Sequence, residues 1–504
     1  MNSSPYSIRS IRAEGSAPGL TMLDAALVLY LVLPLLLFCA WFKWPLAIGL
    51  AALLSYALCK TLTGVRVRVR EFGVRPAAIG AIVVLALAWT AIAGVGHFFY
   101  ANLDWITRDA VLRDLTATAW PPTYGRDGDF SLILRAPVGY YLPAAVVGWL
   151  AGPGVGDFAL YLWTALGFAL FLCAVTSLFA TRRQRVMAVI LMIAFGGMDL
   201  VGYVLALGTV PSWDTHLEWW AGFAQYSSNS TLLFWVPNHA LPAWLGTMLI
   251  LRLWRQPELA RIAPMMAAVI PLWAPLAAVG LAPFYVAGLN WRRDFRHLFA
   301  ISTGLPFLAM AFIVARYVTL DAQTIPGGWA FNDRPLGEYV TAYGWFCLLE
   351  FGLIAWLLQR LKAYDLVLTI AVIVLLALPL YRFGAANDLA MRGSIPALTV
   401  LALATVRPLV DQARSTWRYV LMAVLVIGAI GAAHEPVRAL RLPRWAMTGQ
   451  TLAQSVSLNP AQPGMDGALP SNYVARLNQP GLRVMMREPT LVRPYAAAAS
   501  KAMP

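Results

Sequence analysis

The feature that most constrains this chain is a series of apolar runs, many of them about 20 residues long, separated by short polar segments. A helix needs a run of that length to cross the hydrocarbon core of a membrane. Charged residues make up only 12% of the 504 residues, against about 25% in an average soluble domain. Such a chain cannot cover a water-facing surface. The sequence therefore predicts a polytopic membrane protein and excludes the soluble, fibrous and disulfide-rich classes.

The distribution of basic residues predicts how the runs are oriented. The net charge is +14, and membrane proteins collect Lys and Arg in their cytoplasmic loops. The segment 64–76 and the arginine-bearing segments 182–185, 252–261 and 411–416 are therefore predicted to be cytoplasmic. The positive charge is thus explained by topology, and no nucleic-acid partner is expected.

We predict an all-α bundle of about 12 to 13 transmembrane helices in a bacterial-type inner (plasma) membrane. Residues 1–21 form a cytoplasmic N-terminal tail and residues 22–433 the transmembrane domain. An acidic loop at 100–156 lies on the outer, periplasmic side and carries amphipathic helices. The short polar C-terminal tail, 434–504, lies on the same side.

Two apolar runs are not predicted to cross in the ordinary way. The run 136–152 is short for a span, and the basic cluster at 182–185 would fall outside if it crossed. It is therefore predicted to be an interfacial or re-entrant helix. The Pro-rich run 262–289 has basic residues at both ends, which predicts two short broken helices that dip into the membrane and return.

The most informative polar stretch lies at the start of the acidic loop. If 104–115 is helical, Asp104 and Arg108 are neighbours at i, i+4, as are Asp109 and Arg113. A carboxylate at the membrane boundary is costly unless it is paired or used, and it can deprotonate a hydroxyl or bind a cation. Asp104 and Asp109 are therefore candidate catalytic groups. The alternative is a solvated loop helix whose charges neutralise one another.

A second candidate is the segment 234–242. Pro237 and Pro242 break or kink a helix there and free backbone groups that need partners. Asn238 and His239 lie in the gap. They are candidates for contact with a phosphate or a sugar hydroxyl, and the alternative is that the histidine only satisfies hydrogen bonds in a buried site.

A third candidate is a later outer loop that contains two arginines and an aspartate. Arg392 is predicted to stand at the start of a helix that Ser394 caps and Pro396 opens. A guanidinium beside free backbone N–H groups makes an anion site. Arg392 and Arg382 are therefore candidate phosphate ligands, with Asp388 beside them. The alternative is that these arginines snorkel to the membrane surface.

Metal and nucleotide chemistry have little support. Asp214, His216 and Glu218 are a conceivable metal cluster, but one histidine and two carboxylates in one loop are a weak signal. No cofactor is indicated, and a divalent cation remains an open alternative. The sequence contains no P-loop and no dinucleotide fingerprint.

This arrangement resembles the GT-C superfamily of integral-membrane glycosyltransferases. The similarity extends over residues 77–500 and lies in the layout: many spans, an acidic outer loop, arginine-bearing later loops and a polar tail. The resemblance implies a GT-C-like fold in contact with membrane lipid. It also implies transfer of a sugar from a polyprenyl-phosphate donor to a glycan, lipid or protein acceptor on the outer face.

The resemblance also implies roles for the candidate residues. Asp104, helped by Asp109, takes the acidic catalytic role, and Arg392, helped by Arg382 and His239, binds the donor phosphate. The residues assigned to substrate binding are Arg108, Asn238, Asp388 and Trp105. The implied mechanism is an inverting displacement in which a carboxylate takes the acceptor proton while arginine stabilises the departing phosphate.

Two alternative functions are a transporter or flippase of a lipid-linked or anionic substrate, and a lipid-linked oligosaccharide polymerase or ligase. Broken helices at 234–242 and 262–289 are typical of transporters. A transporter would place its polar groups at mid-membrane and on both faces, whereas here they collect on the predicted outer side. A polymerase or ligase would rely on outer-loop arginines and not on a carboxylate.

The predicted topology can be tested by cysteine labelling in a background from which the four native cysteines have been removed. A cysteine placed at 68 or 184 should resist a membrane-impermeant thiol reagent added from outside, because both positions lie in basic loops. A cysteine at 129 should react. Labelling at 68 or 184 in intact cells would reverse the orientation.

Overall fold

The structure, a computed structural model, describes the greater part of the chain. The described residues are 19–63, 76–135, 137–213, 215–384, 386–411, 415–447, 449–455 and 469–494. It is mostly helical, at 70%. Residues 64–75 of the predicted cytoplasmic segment 64–76 lie outside the described residues. Asp214 also lies outside them.

The helices follow one another with short connections. The first group is α1 Met22–Phe38, α2 Trp44–Leu62, α3 Pro76–Ile92, α4 Asp104–Ala117, α5 Leu142–Ala151 and α6 Pro153–Ser177. The second group is α7 Arg182–Ala194, α8 Asp199–Leu207, α9 Asn229–Trp235, α10 Pro237–Arg252, α11 Pro257–Trp273, α12 Pro275–Gly288, α13 Trp291–Leu298 and α14 Gly304–Val318. The third group is α15 Leu336–Cys347, α16 Leu353–Arg360, α17 Leu366–Ala377, α18 Asp388–Gly393, α19 Ile395–Asp411, α20 Thr416–Arg441, α21 Leu452–Ser455 and α22 Pro480–Met485.

Seven helical segments of the described chain are long and apolar enough to cross a membrane. They are Met22–Trp41, Trp44–Leu62, Pro153–Ser177, Arg182–Leu207, Gly304–Thr324, Leu336–Arg360 and Thr416–Arg441. Four shorter apolar helices accompany them, at Pro76–Ile92, Leu142–Ala151, Pro275–Gly288 and Leu366–Leu380. The chain is therefore a polytopic helical membrane protein. Its described residues contain seven long spans, where 12 to 13 are predicted.

The Pro-rich run 262–289 forms two helices, as predicted. Helix α11 ends at Trp273 and α12 begins at Pro275. Ala274 between them is extended, with φ −160° and ψ 88°, because the ring of a proline disfavours helical backbone in the residue before it. The short run 136–152 likewise contains only the ten-residue helix α5.

The prediction of an all-α chain is incomplete, because the described residues also form two small sheets. Strands β1 Pro122–Asp127, β2 Phe130–Leu134, β3 Gly327–Trp329, β4 Tyr381–Phe383, β5 Val474–Arg476 and β6 Thr490–Leu491 are two to six residues long. The larger sheet has the order β5-β2-β1-β6, and β3 pairs with β4. The larger sheet joins the C-terminal tail to the acidic loop.

Segments that were predicted to share the outer side meet at one end of the bundle, which we call the cavity face. Besides the strands, Asp321 accepts a hydrogen bond from the backbone N–H of Arg476 at 2.7 Å. Asn387 donates to the carbonyl of Phe223 at 3.1 Å. The turn between α1 and α2 also belongs to this end, since Phe42 bridges to Met486. The predicted grouping of these loops is thus reproduced by direct contacts.

The opposite end, which we call the basic face, is held by a buried ion pair. The Nε of Arg252, in the last turn of α10, donates to Oδ1 of Asp24 at 2.6 Å. Asp24 is fully buried and also bonds Thr21 in a capping box at the start of α1. Arg252 also bonds Ser177 at the end of α6. One guanidinium therefore ties three helices together.

Replacing Arg252 with Met should lower the free energy of unfolding by about 3–5 kcal/mol, because it leaves Asp24 as an unpaired buried charge. The double variant that also carries Asp24→Asn should recover most of this loss. Denaturant unfolding in detergent micelles, followed by tryptophan fluorescence, measures both effects. Wild-type stability in the single variant would show that the pair contributes nothing to folding.

Candidate functional site

The site is organised by a break between two consecutive helices. Helix α9 ends at Trp235 and α10 begins at Pro237. Proline has no N–H to continue the helical pattern, so carbonyl groups of the last turn of α9 need other partners. The carbonyl of Phe234 accepts hydrogen bonds from Nδ2 of Asn102 at 2.7 Å and from Nε1 of Trp105 at 3.2 Å. The break therefore fixes the start of α4 against α9.

Helix α4 carries the first ion pair of the site. The helix predicted at 104–115 is confirmed, since α4 spans Asp104–Ala117. Nη2 of Arg108 lies 3.1 Å from Oδ2 of Asp104, the predicted i, i+4 pair. The Arg108 side chain is buried, whereas 30% of the Asp104 side chain is exposed. The carboxylate is thus accessible while a buried cation holds it.

Helix α18 carries the second ion pair. Nη2 of Arg392 lies 2.8 Å from Oδ1 of Asp388, and both side chains are mostly buried. Gly384 has a φ of +87°, and a Cβ at that position would collide with the Asp388 carboxylate. Asn387 caps α18 by accepting from the backbone N–H of Ala390. A glycine and an asparagine therefore position this pair.

The predicted helix start is confirmed in part: α19 begins at Ile395, with Ser394 before it and Pro396 in its first turn, but Arg392 belongs to the preceding helix. Arg392 lies in the last turn of α18. The hydroxyl of Ser394 donates to the carbonyl of Met391 at 3.1 Å. The short helix was missed because six residues are too few to show a periodic apolar pattern. An anion bound here would therefore contact the guanidinium and not helix-start N–H groups.

The two pairs meet at one cavity of about 570 Å³ on the cavity face. Asp104, Asp388 and Arg392 all line it. The other lining residues are His216, Trp219, Gln225, Ser227, Thr231, Trp235, Val236, Ile325, Pro326, Gly384, Ala386, Met391, Ser471 and Asn472. The cavity therefore combines carboxylate, guanidinium, amide and aromatic groups from distant parts of the chain.

Tyr473 lies near the site without lining the cavity, and sequence reasoning missed it. Its phenol lies within electrostatic range of both pairs, Asp104–Arg108 and Asp388–Arg392. Burial raises the pKa of Tyr473, and the opposing effect of the arginines does not cancel this. The phenol therefore stays neutral and keeps a proton to donate. Tyr473 belongs to the tail, where no sequence pattern pointed to a site.

Several N–H donors of the two arginines have no partner among the described residues. These are Nε and Nη1 of Arg108 and Nε of Arg392, all of which are buried. Buried polar groups in folded proteins are almost always hydrogen-bonded. Unused donors on two cations beside a cavity are the groups that an anionic ligand would satisfy.

Asn238 and His239 lie in the first turn of α10 and are both buried. Neither residue lines the cavity. Oδ1 of Asn238 and Nδ1 of His239 have no hydrogen-bond partner among the described residues. The His239 ring interacts electrostatically with Arg392 and Arg108. His239 therefore lies near the cavity without lining it.

Three of the predicted site residues lie elsewhere. Asp109 pairs with His97 at 2.8 Å and not with Arg113, which faces Asp157 at 3.8 Å. Trp105 is buried, with its indole used by the Phe234 carbonyl. Arg382, on β4, forms an ion pair with Asp333 at 3.0 Å, and both side chains are about one-third exposed. None of these three lines the cavity.

Two members of the conceivable metal cluster are described, Glu218 and His216, and both form hydrogen bonds. Oε1 of Glu218 accepts from the backbone N–H of Ser228 and from the hydroxyl of Thr231, and Oε2 accepts from Gln225. His216 contacts the Gln225 amide at 3.3 Å. Within the described residues no three His, Cys, Asp or Glu side chains form a group that could hold a metal.

Compared with known proteins, the chain matches no family model, no curated protein and no solved structure.

The His97–Asp109 pair predicts a pH dependence of stability. Burial lowers the pKa of His97, but Asp109, the carbonyl of Trp445 and Asp157 together raise it by more, so this pKa lies above its usual value. The protonated His97–Asp109 pair adds to the free energy of unfolding. This contribution is complete below the ordinary histidine pKa of about 6.5 and is lost as pH rises through the raised pKa.

Unfolding curves of wild type and His97→Gln between about pH 5 and about pH 9 measure this difference. The wild type should be more stable at the acidic end, and the gap should narrow with rising pH. A gap that stays constant or widens would contradict the assignment.

Proposed function

We propose that this protein is a membrane glycosyltransferase that moves a sugar from a polyprenyl-phosphate donor to an acceptor at the cavity described above. The observation that supports the proposal best is that Asp104 and Arg392, which are far apart in the sequence, line the same cavity. Transfer from a lipid phosphate needs a base for the acceptor and a cation for the leaving group. The cavity offers one of each.

In this proposal Asp104 is the general base. Its carboxylate is accessible, and the buried guanidinium of Arg108, 3.1 Å away, fixes its orientation. An acceptor hydroxyl in the cavity would pass its proton to Asp104 as it attacks the sugar carbon. Exclusion of water from the cavity strengthens the electrostatic contribution of both charged pairs.

Arg392 binds the donor phosphate in this proposal. Asp388 holds one end of the guanidinium at 2.8 Å, and the Nε–H remains unused. A phosphate oxygen would accept from that donor, and Tyr473 would supply a further neutral donor nearby. As the sugar–oxygen bond breaks, negative charge grows on the phosphate, and these donors stabilise it.

The size and lining of the cavity suit a sugar. About 570 Å³ lies within the usual range of small-molecule sites, which are mostly apolar with a few polar groups that fix orientation. Trp219 and Trp235 present aromatic side chains, and Gln225, Ser227 and Asn472 present hydrogen-bonding groups. A pyranose needs this combination for its apolar face and its hydroxyls.

A lipid-linked substrate is also supported by a separate apolar groove of about 460 Å³. Leu115, near the end of α4, lines this groove, about 16 Å along the helix from Asp104. Among the described residues that line it, Arg487 is the one charged residue, and its guanidinium lies 4.6 Å from the centre of the Trp44 ring. Such a groove suits a hydrocarbon chain with an anionic headgroup.

A transporter or flippase is the second candidate function. The observation that favours it is the interruption of the span Arg182–Leu207 between α7 and α8, with the buried carboxyl of Asp199 at the break. Discontinuous spans with ionisable groups are typical of transporters. Proteoliposomes separate the two functions, because a transporter moves the lipid-linked substrate across the bilayer without forming a new glycosidic bond.

Replacing Asp104 with Asn should reduce sugar transfer by at least about 100-fold, because the amide keeps the size of the side chain and removes its basicity. Transfer of radiolabelled sugar from polyprenyl-phosphate donors in purified membranes is the measurement. Asp127→Asn, at an exposed carboxylate of β1, is the matched control and should keep full activity. Near wild-type transfer by Asp104→Asn would exclude it as the base.

Replacing Arg392 with Ala should weaken donor use more than acceptor use. Loss of one contact to the developing charge should cost about 2–4 kcal/mol in transition-state stabilisation. Arg392→Lys should recover only part, since an ammonium lacks the forked geometry of the guanidinium. Transfer rates against donor and acceptor concentration distinguish these effects.

The matched control for this series is Arg126→Ala, which removes an exposed guanidinium on β1. It should leave both concentration dependences unchanged. If only the acceptor dependence changes in Arg392→Ala, Arg392 does not bind the donor phosphate.

A further inference from the structure

Two interrupted spans meet inside the bundle at residues that do not line the cavity. The span Arg182–Leu207 is broken between α7 and α8, at residues 195–198. The span Leu336–Arg360 contains one wide π-helical turn, Leu348–Gly352. The two irregularities are joined by a hydrogen bond from the backbone N–H of Met198 to the carbonyl of Leu349 at 3.1 Å. π-turns of this kind are rare and are frequently found at functional sites.

Each irregular segment contributes a carboxyl group to the same point. Asp199 opens α8 and Glu350 lies in the π-turn, and both side chains are fully buried. The two carboxyl groups are within hydrogen-bonding range of each other. Gly197 allows this approach, because a Cβ there would collide with Oε2 of Glu350.

The hydrogen-bond donors around this carboxyl pair serve Glu350 and not Asp199. Nε1 of Trp220 donates to Oε1 of Glu350 at 2.8 Å. Oε2 of Glu350 and both oxygens of Asp199 receive no hydrogen bond from any other described residue. Asp199 is therefore a fully buried polar group that is aimed at Glu350 and has no donor outside its own backbone.

No positive charge in the described chain acts on the pair. The titratable groups that face it are Glu218, Tyr226 and Cys347, which are acidic or neutral. On α20 the neighbour is Gly431, which has no side chain. Two ionised carboxylates in such surroundings would repel each other and lose their hydration without compensation.

We propose that Asp199 and Glu350 form a proton-binding site inside the membrane-embedded bundle. Asp199 holds the proton and donates it in a hydrogen bond to Oε2 of Glu350, while Trp220 donates to Oε1. A carboxylate can only accept hydrogen bonds, so the contact between the two groups requires this proton. Binding takes one proton from water and leaves one negative charge, which the two donors share.

The proton would stabilise the junction between the two spans. With the proton bound, the carboxyl contact adds to the backbone bond between Met198 and Leu349. Without it, the two carboxylates repel each other across the same junction. The network also reaches the cavity, since Glu218 acts on both carboxyls and bonds Gln225 in the cavity wall. The site does not depend on the proposed transfer reaction.

The test uses the full-length protein in lipid nanodiscs and a membrane-permeant carbodiimide, which reacts with protonated carboxyl groups in apolar surroundings. Mass spectrometry of peptides should find Asp199 or Glu350 labelled at neutral pH. The exposed Asp127, with 61% of its side chain accessible, is the internal reference. Labelling of the pair should stay constant while the site keeps its proton and should fall about tenfold per pH unit above the pH at which that proton leaves.

Infrared spectroscopy provides a second measurement that does not require chemical modification. The carbonyl stretching band of a protonated carboxyl should be present in wild type at neutral pH. It should be absent in Asp199→Asn and retained in Glu218→Gln, the matched control at a buried carboxyl with several donors. If Asp199→Asn does not fold, the labelling of wild type still decides the question.

Three results would overturn the proposal. The first is the absence of both labelling and the protonated-carboxyl band at neutral pH. The second is labelling of the pair that does not fall as the pH is raised. The third is protection from the carbodiimide by Na⁺ at constant pH and ionic strength, with K⁺ as the reference, which would show a metal-cation site.

Discussion

The structure of the candidate site depends on one backbone carbonyl that its own helix cannot satisfy. Pro237 ends α9, and the Phe234 carbonyl is captured by Asn102 and Trp105. Within a membrane bundle a carbonyl without a hydrogen-bond donor costs several kcal/mol of folding free energy. Loss of the two donors would therefore destabilise the folded protein. This requirement holds the start of α4 against the broken helix, and Asp104 is brought to the cavity as a consequence.

The contacts between loops give the bundle two chemically different ends. The basic face carries the buried Arg252–Asp24 pair, which joins α1, α6 and α10. The cavity face carries the two small sheets and both ion pairs of the site. The C-terminal tail is part of this face, since its strands β5 and β6 flank the hairpin of the acidic loop. A site assembled there draws on the first loop, the later loops and the tail together.

Local patterns predicted the local structure well. The i, i+4 spacing predicted α4 and its Asp104–Arg108 pair, and the prolines predicted the two helices at 262–289. Contacts between segments that are distant in the sequence could not be predicted. Strands of two or three residues show no period, and Tyr473 reaches the site only because β5 joins the acidic loop. His97 and Asp109 were likewise separated by a turn whose course no spacing rule gives.

The central claim is that Asp104 and Arg392 form one binding site for a lipid phosphate. A single-particle structure of the full-length protein in nanodiscs with a polyprenyl phosphate tests it most directly. The account predicts density for the phosphate in the cavity, within hydrogen-bonding distance of Arg392 and beside Tyr473. It also predicts that the Arg392–Asp388 contact remains or lengthens only slightly. Phosphate density at Arg487 beside the apolar groove, with the cavity left empty, would contradict the account.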